Sequence, residues 1–331
     1  MEREIRVGLP KGSLNTPGRA NTNEVLTNAG YDIRGYEPGR ESGRISIAND
    51  PEIRLFLIRP QSAPILLSRE MLDIAITGED WVQEEVVNGN QNGIHKIGDM
   101  EYGQTRLVIA IPTGSELKSL SDFFTSLRGR EKPTLCFTEY LNLTRQKFMQ
   151  NEIYQAIFGT EPPLVQIRGL IDGQNRLMQI IHSDGVTEGF VELGADIIAD
   201  NTQSGNTLKS YGLREIEEIM KSSVGLYAGP SCAGWKERKA QEIFEQLYGA
   251  IVGRRFFDVK FNVPISDVEK LRRYLVEESL CADEPTITTG ENFAQVNILI
   301  PRKTFPGILQ TLRGSYNVSA IVRSEVKQYI E

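Results

Sequence analysis

The sequence predicts an α/β protein, a two-lobed core followed by a small ferredoxin-like α+β unit. Three observations predict it. Short apolar runs alternate with helical stretches through most of the chain, in the rhythm of parallel α/β units. A polar, glycine-containing turn, Asp200-Asn201-Thr202-Gln203-Ser204-Gly205-Asn206-Thr207-Leu208, sits between a strand-like run and a plausible helix. Beyond residue 256 the pattern changes to β-α-β-β-α-β.

Ile5 to Leu9 reads as the first strand, with Pro10 to Leu14 after it and a helix ending near Ala29-Gly30. Ile53 to Ile58 is a second strand, Ala63 to Ser68 a helix, and Leu72 to Ile76 a third strand closed by Thr77-Gly78. A second unit begins at Leu107 to Pro112, continues through a strand at Thr134 to Phe137 and a helix from Arg145 to Gln155, and reaches Asp200 through the strand Ala195 to Ala199. Val224 to Ala228 is a further strand, and Lys236 to Val252 carries apolar residues at helical spacing. The last unit takes strands at Phe257 to Val263, Thr286 to Thr288 and Ala294 to Ile300, with helices over Val268 to Glu278 and Phe305 to Arg313. The expected domains are residues 1–105 with 213–255 as one lobe, 106–212 as the second, and 256–331 as the C-terminal unit. Ligands of open α/β sheets bind beyond the carboxyl ends of strands, where Lys11, Gly78 and Asp200 all fall.

Composition narrows the function. The 331 residues are 40% hydrophobic and 24% charged, an ordinary globular balance that calls for more than one domain. A net charge of −7 argues against general nucleic-acid binding. No apolar run approaches membrane-spanning length, and Met1 to Ile5 enters a strand with no signal-peptide pattern, so a cytoplasmic protein is expected. Cys136, Cys232 and Cys281 are far apart and odd in number, which supports neither a disulfide framework nor a metal site. The two histidines, His95 and His182, read as loop residues, and zinc is not expected.

The turn at Asp200 suits a sugar phosphate. A carboxylate accepts hydrogen bonds from ribose hydroxyls, while Ser204, Thr207 and nearby N–H groups can wrap a phosphate at a helix N-terminus, with Gly205 allowing close approach. The same residues also suit an ordinary strand-to-helix connector.

Several further pieces follow in order: Leu9-Pro10-Lys11-Gly12-Ser13-Leu14, Ile58-Arg59-Pro60, Leu72 to Gly78, Tyr102-Gly103, Thr138-Glu139-Tyr140-Leu141-Asn142-Leu143-Thr144-Arg145, Asp184-Gly185-Val186-Thr187-Glu188, and Leu208 to Ile216. Together with the Asp200 turn they resemble the ATP phosphoribosyltransferases in their long form, which carry a C-terminal regulatory domain. The resemblance covers nearly the whole chain. It implies the first step of histidine biosynthesis: N1 of the ATP adenine displaces pyrophosphate from C1′ of phosphoribosyl pyrophosphate, with inversion and with magnesium. It also implies histidine as an allosteric inhibitor and a homo-oligomer of dimers assembling into hexamers. By position, Asp200 and Glu188 would bind the ribose hydroxyls and Gln203, Ser204, Gly205, Asn206 and Thr207 would cradle the 5′-phosphate. Lys11 would meet the pyrophosphate, Thr138, Tyr140 and Arg145 would line the cleft, and Arg59 and Gly78 would help place ATP. Each has a plainer alternative: Asp200 as a helix cap, Glu188 and Arg145 as a surface ion pair, Lys11 as a solvated strand end, Tyr140 as core.

The chain departs from the family in three places. Gln203-Ser204 replaces the usual Ser-Thr before the glycine, Ser13 stands where an arginine is usual, and Ile167 to Ile181 reads as an insertion. Two other readings remain open on the sequence. Two α/β lobes about a cleft are also the architecture of periplasmic-type solute receptors, and a non-catalytic regulatory relative would keep the same fold.

Overall fold

In the computed structural model, the described residues are 3–17, 21–41, 43–89, 93–277 and 285–330. They form two compact units: Met1–Thr22, Arg34–Ile47 and Pro51–Ala240 make the first, and Asn23–Ile33, Ala48–Asp50 and Gln241–Glu331 the second.

The first unit holds two sheets. The smaller has strands Ile53–Ile58, Ile5–Pro10, Ile74–Gly78, Val224–Ala228 and His95–Asp99 in that spatial order. Its first three are parallel and Val224–Ala228 runs antiparallel to both neighbours. Every residue of Ile74–Gly78 is buried, as a central strand covered on both faces requires. His95, expected in a loop, opens an edge strand and is exposed.

The larger sheet orders Leu170–Asp172, Pro163–Ile167, Asn175–His182, Thr134–Thr138, Ile197–Thr202, Thr105–Pro112 and Leu213–Ser222. The chain enters it along Thr105–Pro112 and leaves along Leu213–Ser222, which pair antiparallel from Leu213↔Pro112 to Ser222↔Thr105. This corrects the expected boundary at residue 213. The whole Leu213–Ser222 ladder belongs to the larger sheet, and the return to the smaller one comes at Ser223. The segment read as an insertion supplies an interior strand, Asn175–His182, parallel to Thr134–Thr138, plus the short edge strand Leu170–Asp172. The single helix expected over Arg145 to Gln155 is two, Leu141–Met149 and Glu152–Phe158. Asn151 makes the break: its side chain accepts the N–H groups of Ile153 and Tyr154, capping the second helix.

Helix Glu79–Val87 follows the smaller sheet and packs on Leu141–Met149 of the larger one. Glu84, 8% exposed, accepts the N–H groups of Asn142 and Leu143 at 2.7 and 2.9 Å, so a carboxylate from one layer caps a helix of the other. Burial pushes that carboxyl up to about 7, against the pull of those N–H groups.

In the second unit, strands Phe256–Pro264, Thr286–Thr289, Phe293–Pro301 and Ser319–Glu325 form one antiparallel sheet with Phe256–Pro264 and Phe293–Pro301 central. With helices Val268–Glu277 and Phe305–Ser315 this is the ferredoxin-like arrangement. Its core is period-two: Phe257, Val259, Phe261 and Val263 stand beside Ile300, Ile298, Val296 and Ala294 on one face of the sheet, all buried. Cys136 and Cys232 are free thiols, and Cys281 lies outside the described residues. Among the described residues, no helix is long and apolar enough to cross a membrane.

Candidate active site

Asp200 lies on the strand Ile197–Thr202 itself, paired in register with Val108, and not beyond its end. The strand runs out into Gln203 and Ser204, and Gly205 turns the chain into the short helix Asn206–Ser210. Two constraints require glycine there. Its φ is +74°, and a Cβ would come within 2.9 Å of a Glu215 carboxylate oxygen, itself held by Arg106 at 2.8 Å. Thr202 Oγ1 accepts the Gly205 N–H at 2.9 Å, fixing the turn, while the helix N-terminus has no side-chain cap.

Part of this strand and turn lines a cavity of about 410 Å³ in the first unit. Asp200, Gln203, Ser204 and Thr207 come from the strand and turn, Glu139 and Glu188 from neighbouring segments of the larger sheet, and Ser13 and Leu14 from the loop after strand Ile5–Pro10. Glu188 sits on a 3-10 turn, Thr187–Val191, entered through Val186 at φ +52°, a conformation a β-branched residue rarely holds. A hydroxyl pair, Ser183 Oγ and Thr187 Oγ1 at 2.8 Å, braces that turn.

The cavity is electrostatically primed. Burial, reinforced by repulsion from Glu188 and Glu139, raises the Asp200 carboxyl to about 7, and the Asn201 N–H opposes the shift. Burial also raises Glu139, against the pull of the Gly185 N–H. Anionic side chains crowded in a cleft have a strong demand for hydroxyl donors or positive charge. The carboxylates and hydroxyls facing the cavity, from Asp200, Glu188, Glu139, Ser204 and Thr207, are oxygen ligands, a chemistry that suits magnesium. Among the described residues, no three His, Cys, Asp or Glu side chains are grouped to hold a metal.

The structure thus brings Asp200, Glu188, Gln203, Ser204 and Thr207 together. Gly205 is buried as the pivot of the turn, and Asn206 opens the helix, exposed. Lys11 and Arg59 follow paired strand ends, Pro10↔Ile58, and an Arg59 guanidinium nitrogen lies 3.5 Å from where a Gly12 Cβ would be. They are neighbours, and neither is part of the cavity wall, which the chain joins at Ser13.

Four expected residues are elsewhere. Thr138 is fully buried and its hydroxyl accepts the Tyr140 N–H. Tyr140 is 1% exposed, stacked on Trp81 with ring centroids 4.2 Å apart, and donates its hydroxyl to Asp80 at 2.5 Å. Arg145 points outward to Asp172 at 2.5 Å. Gly78 is a space-maker: a Cβ there would lie 2.1 Å from Asp80 Oδ1. Gly78→Ala should therefore displace the Asp80 carboxylate from Ser222 and Tyr140 and cost about 1–3 kcal/mol, read from the urea midpoint.

The sequence does not single out Glu139, although it does both of its neighbours. Thr138 and Tyr140 are buried and the residue between them faces the cavity, an alternation expected at a strand end.

Comparison with known proteins points to one family. A family model described as HisG, ATP phosphoribosyltransferase, matches residues 59–249. The chain is 28% identical to the ATP phosphoribosyltransferase of Pelotomaculum thermopropionicum over 323 residues, covering 94% of each protein. It is also 28% identical to that of Desulforudis audaxviator, covering 90% of this chain and 93% of the relative. Among solved structures, the ATP phosphoribosyl transferase (HisG:HisZ) complex from Thermotoga maritima aligns with 75% of this chain and 98% of its own. The TM-score is 0.52 at 21% identity, a likeness of fold.

Proposed function

The chain belongs to the ATP phosphoribosyltransferase family, and from that premise we propose how its own residues carry out the first step of histidine biosynthesis. It is a transferase. The bond made is between N1 of the ATP adenine and C1′ of phosphoribosyl pyrophosphate; the bond broken is from C1′ to the pyrophosphate oxygen, which leaves with the electron pair.

The observation that carries the reading is the convergence of Asp200, Glu188, Gln203, Ser204 and Thr207 on one cavity. Asp200 and Glu188 accept hydrogen bonds from the ribose hydroxyls, and their charge stabilises the positive charge that develops on the ribose as the leaving group departs. The uncapped N-terminus at Asn206, with the Ser204 and Thr207 hydroxyls, receives the 5′-phosphate. Gln203 contributes an amide donor in place of the family's usual hydroxyl. Lys11 and Arg59, adjacent to one another, meet the pyrophosphate and the ATP phosphates, where Ser13 supplies a hydroxyl in place of a cation. Magnesium, carried on the phosphate oxygens, would neutralise the leaving charge. Little proton chemistry is needed, and alignment supplies most of the rate.

The ferredoxin-like unit is read as a regulatory module for histidine, the protein as a homo-oligomer, dimeric or hexameric, and the cytoplasm as its place. A non-catalytic relative is not favoured, because the carboxylates and the turn that the reaction needs converge in this chain.

The test is direct. Incubated with ATP, phosphoribosyl pyrophosphate and magnesium, the purified protein should form the N1-ribosylated adenine chromophore, lose that activity with EDTA, and be slowed by histidine. Absence of product under all oligomer-preserving conditions refutes the catalytic reading; product insensitive to histidine refutes the regulatory one.

A further inference from the structure

Tyr140, expected from the family resemblance to line the cleft, is 1% exposed and out of a substrate's reach, and its surroundings show another role. We infer that Asp80, Tyr140 and Asn201 form a positioning relay that aims the Asp200 carboxylate at the bound ribose and ties that aim to the packing of the two sheets. The inference rests on the reading of Asp200 as a substrate-binding carboxylate.

The direction of every bond in the relay is forced. Asp80 is 3% exposed and its carboxylate can only accept; Ser222 Oγ donates to Oδ1 at 2.8 Å and the Tyr140 hydroxyl to Oδ2 at 2.5 Å. The tyrosine has spent its one proton, so its oxygen must accept from the next partner. That partner is the Asn201 side-chain amide, Nδ2 to Oη at 2.8 Å, which fixes the orientation of the amide. Asn201 in turn donates its backbone N–H to Asp200 Oδ1 at 2.8 Å. Holding the Asn201 side chain therefore holds the peptide plane that orients Asp200.

Placement makes the relay a link between layers. Asp80 is in the first turn of the helix that follows the smaller sheet, whereas Tyr140 and Asn201 stand at the ends of two adjacent parallel strands of the larger sheet. Trp81, next to Asp80, lies flat on the Tyr140 ring at 4.2 Å and 20°, so the ring cannot swing to a different acceptor. Gly78 is shaped to the same end, since any side chain there would displace Asp80.

A purely structural tether would not need Asn201. The residue is exposed at the cavity wall, where water satisfies an amide at little cost, and a leucine would suit the strand better. What the amide adds is a fixed direction beside Asp200. The charged groups that bear on Asp200 are Glu188, from the 3-10 turn, and Glu139, from the end of the neighbouring strand. Small rotations of Asp200 change its distance to both.

Asn201→Leu in the full-length protein severs the relay while keeping the backbone N–H, and Tyr140→Phe severs it from the other side. Asn201→Leu should lower kcat about 10- to 100-fold with KM for ATP unchanged. It should shift the pH midpoint of kcat/KM for phosphoribosyl pyrophosphate and leave the thermal midpoint near the parent's. Added to Asp200→Asn, it should cause little further loss, because both act through one carboxylate. A folded Asn201→Leu with parental kcat and pH profile overturns the relay, and so does a full additional loss in the Asp200→Asn background. Tyr140→Phe, if folded, must copy Asn201→Leu; should it unfold, Asn201→Leu alone decides. Parental kinetics in Asp200→Asn would instead bring down the site reading itself, and the two failures are thereby separable.

Discussion

Asp200→Asn should lower kcat with phosphoribosyl pyrophosphate by on the order of 10²-fold, the scale of removing one preorganised electrostatic contact from a reacting centre. The substitution keeps the size of the side chain and its acceptor for the Asn201 N–H, so loss of the negative charge is the principal change. The pH dependence identifies the group. In the free protein the carboxyl titrates near 7, well above an ordinary aspartate, and its ionised form is the one that accepts ribose hydroxyls and balances positive charge. In the parent, kcat/KM for phosphoribosyl pyrophosphate should therefore rise with pH through about 7, and in Asp200→Asn that limb should vanish. The stability effect has the opposite sign. A carboxyl whose folded pKa is raised destabilises the fold once pH exceeds its unfolded value, increasingly up to the folded one. Asp200→Asn should accordingly unfold at an equal or higher urea concentration than the parent at pH 8. A variant that loses activity together with stability would mark Asp200 as structural.

How far the sequence went can be argued from individual residues. Elements with strong local signals were legible: the buried run Ile74 to Gly78, the period-two strands of the ferredoxin-like unit, and the Gly205 turn all carry their cause within a few residues. What it lacked were partners distant in sequence. Arg145 looks like a cleft cation until Asp172, 27 positions away, takes it outward. Gly78 looks like a ligand-facing glycine until Asp80 folds back over it, and Tyr140 like a substrate contact until Asp80 and Trp81 enclose it. The break at Asn151 was visible in principle, because an asparagine before Glu152 is a cap signal, but apolar periodicity runs through it. Residues 213–222 are grouped with the first lobe on the sequence because nothing in them specifies a partner; pairing with Thr105–Pro112 makes them a strand of the larger sheet.

Asp73 should be the opposite case, a carboxylate worth stability and not chemistry. It is fully buried, yet its oxygens accept from the Arg6 backbone N–H and guanidinium, from Ser231 Oγ and from Lys236 Nζ, at 2.8 to 3.1 Å. Burial opposes its ionisation, but two cations and these hydrogen bonds outweigh burial and hold the carboxyl at about 2. Removal would strand Arg6 and Lys236, both less than a third exposed, so Asp73→Ala should cost about 3–5 kcal/mol in urea unfolding at pH 7. The sign with pH follows from the depressed value. The contribution is fully present above the unfolded pKa near 4 and is lost as pH falls through about 2, amounting to about 2.5 kcal/mol across that window. Asp73→Asn should be less stable than the parent at pH 5 and approach it by pH 2, with a flatter profile between. Turnover of the folded fraction should be spared, because Asp73 precedes the strand Ile74–Gly78 and is not among the residues that line the cavity. If Asp73→Asn matched the parent's stability at pH 5, the two cations would have to be solvated in the native protein, and the buried network would contribute nothing to the fold.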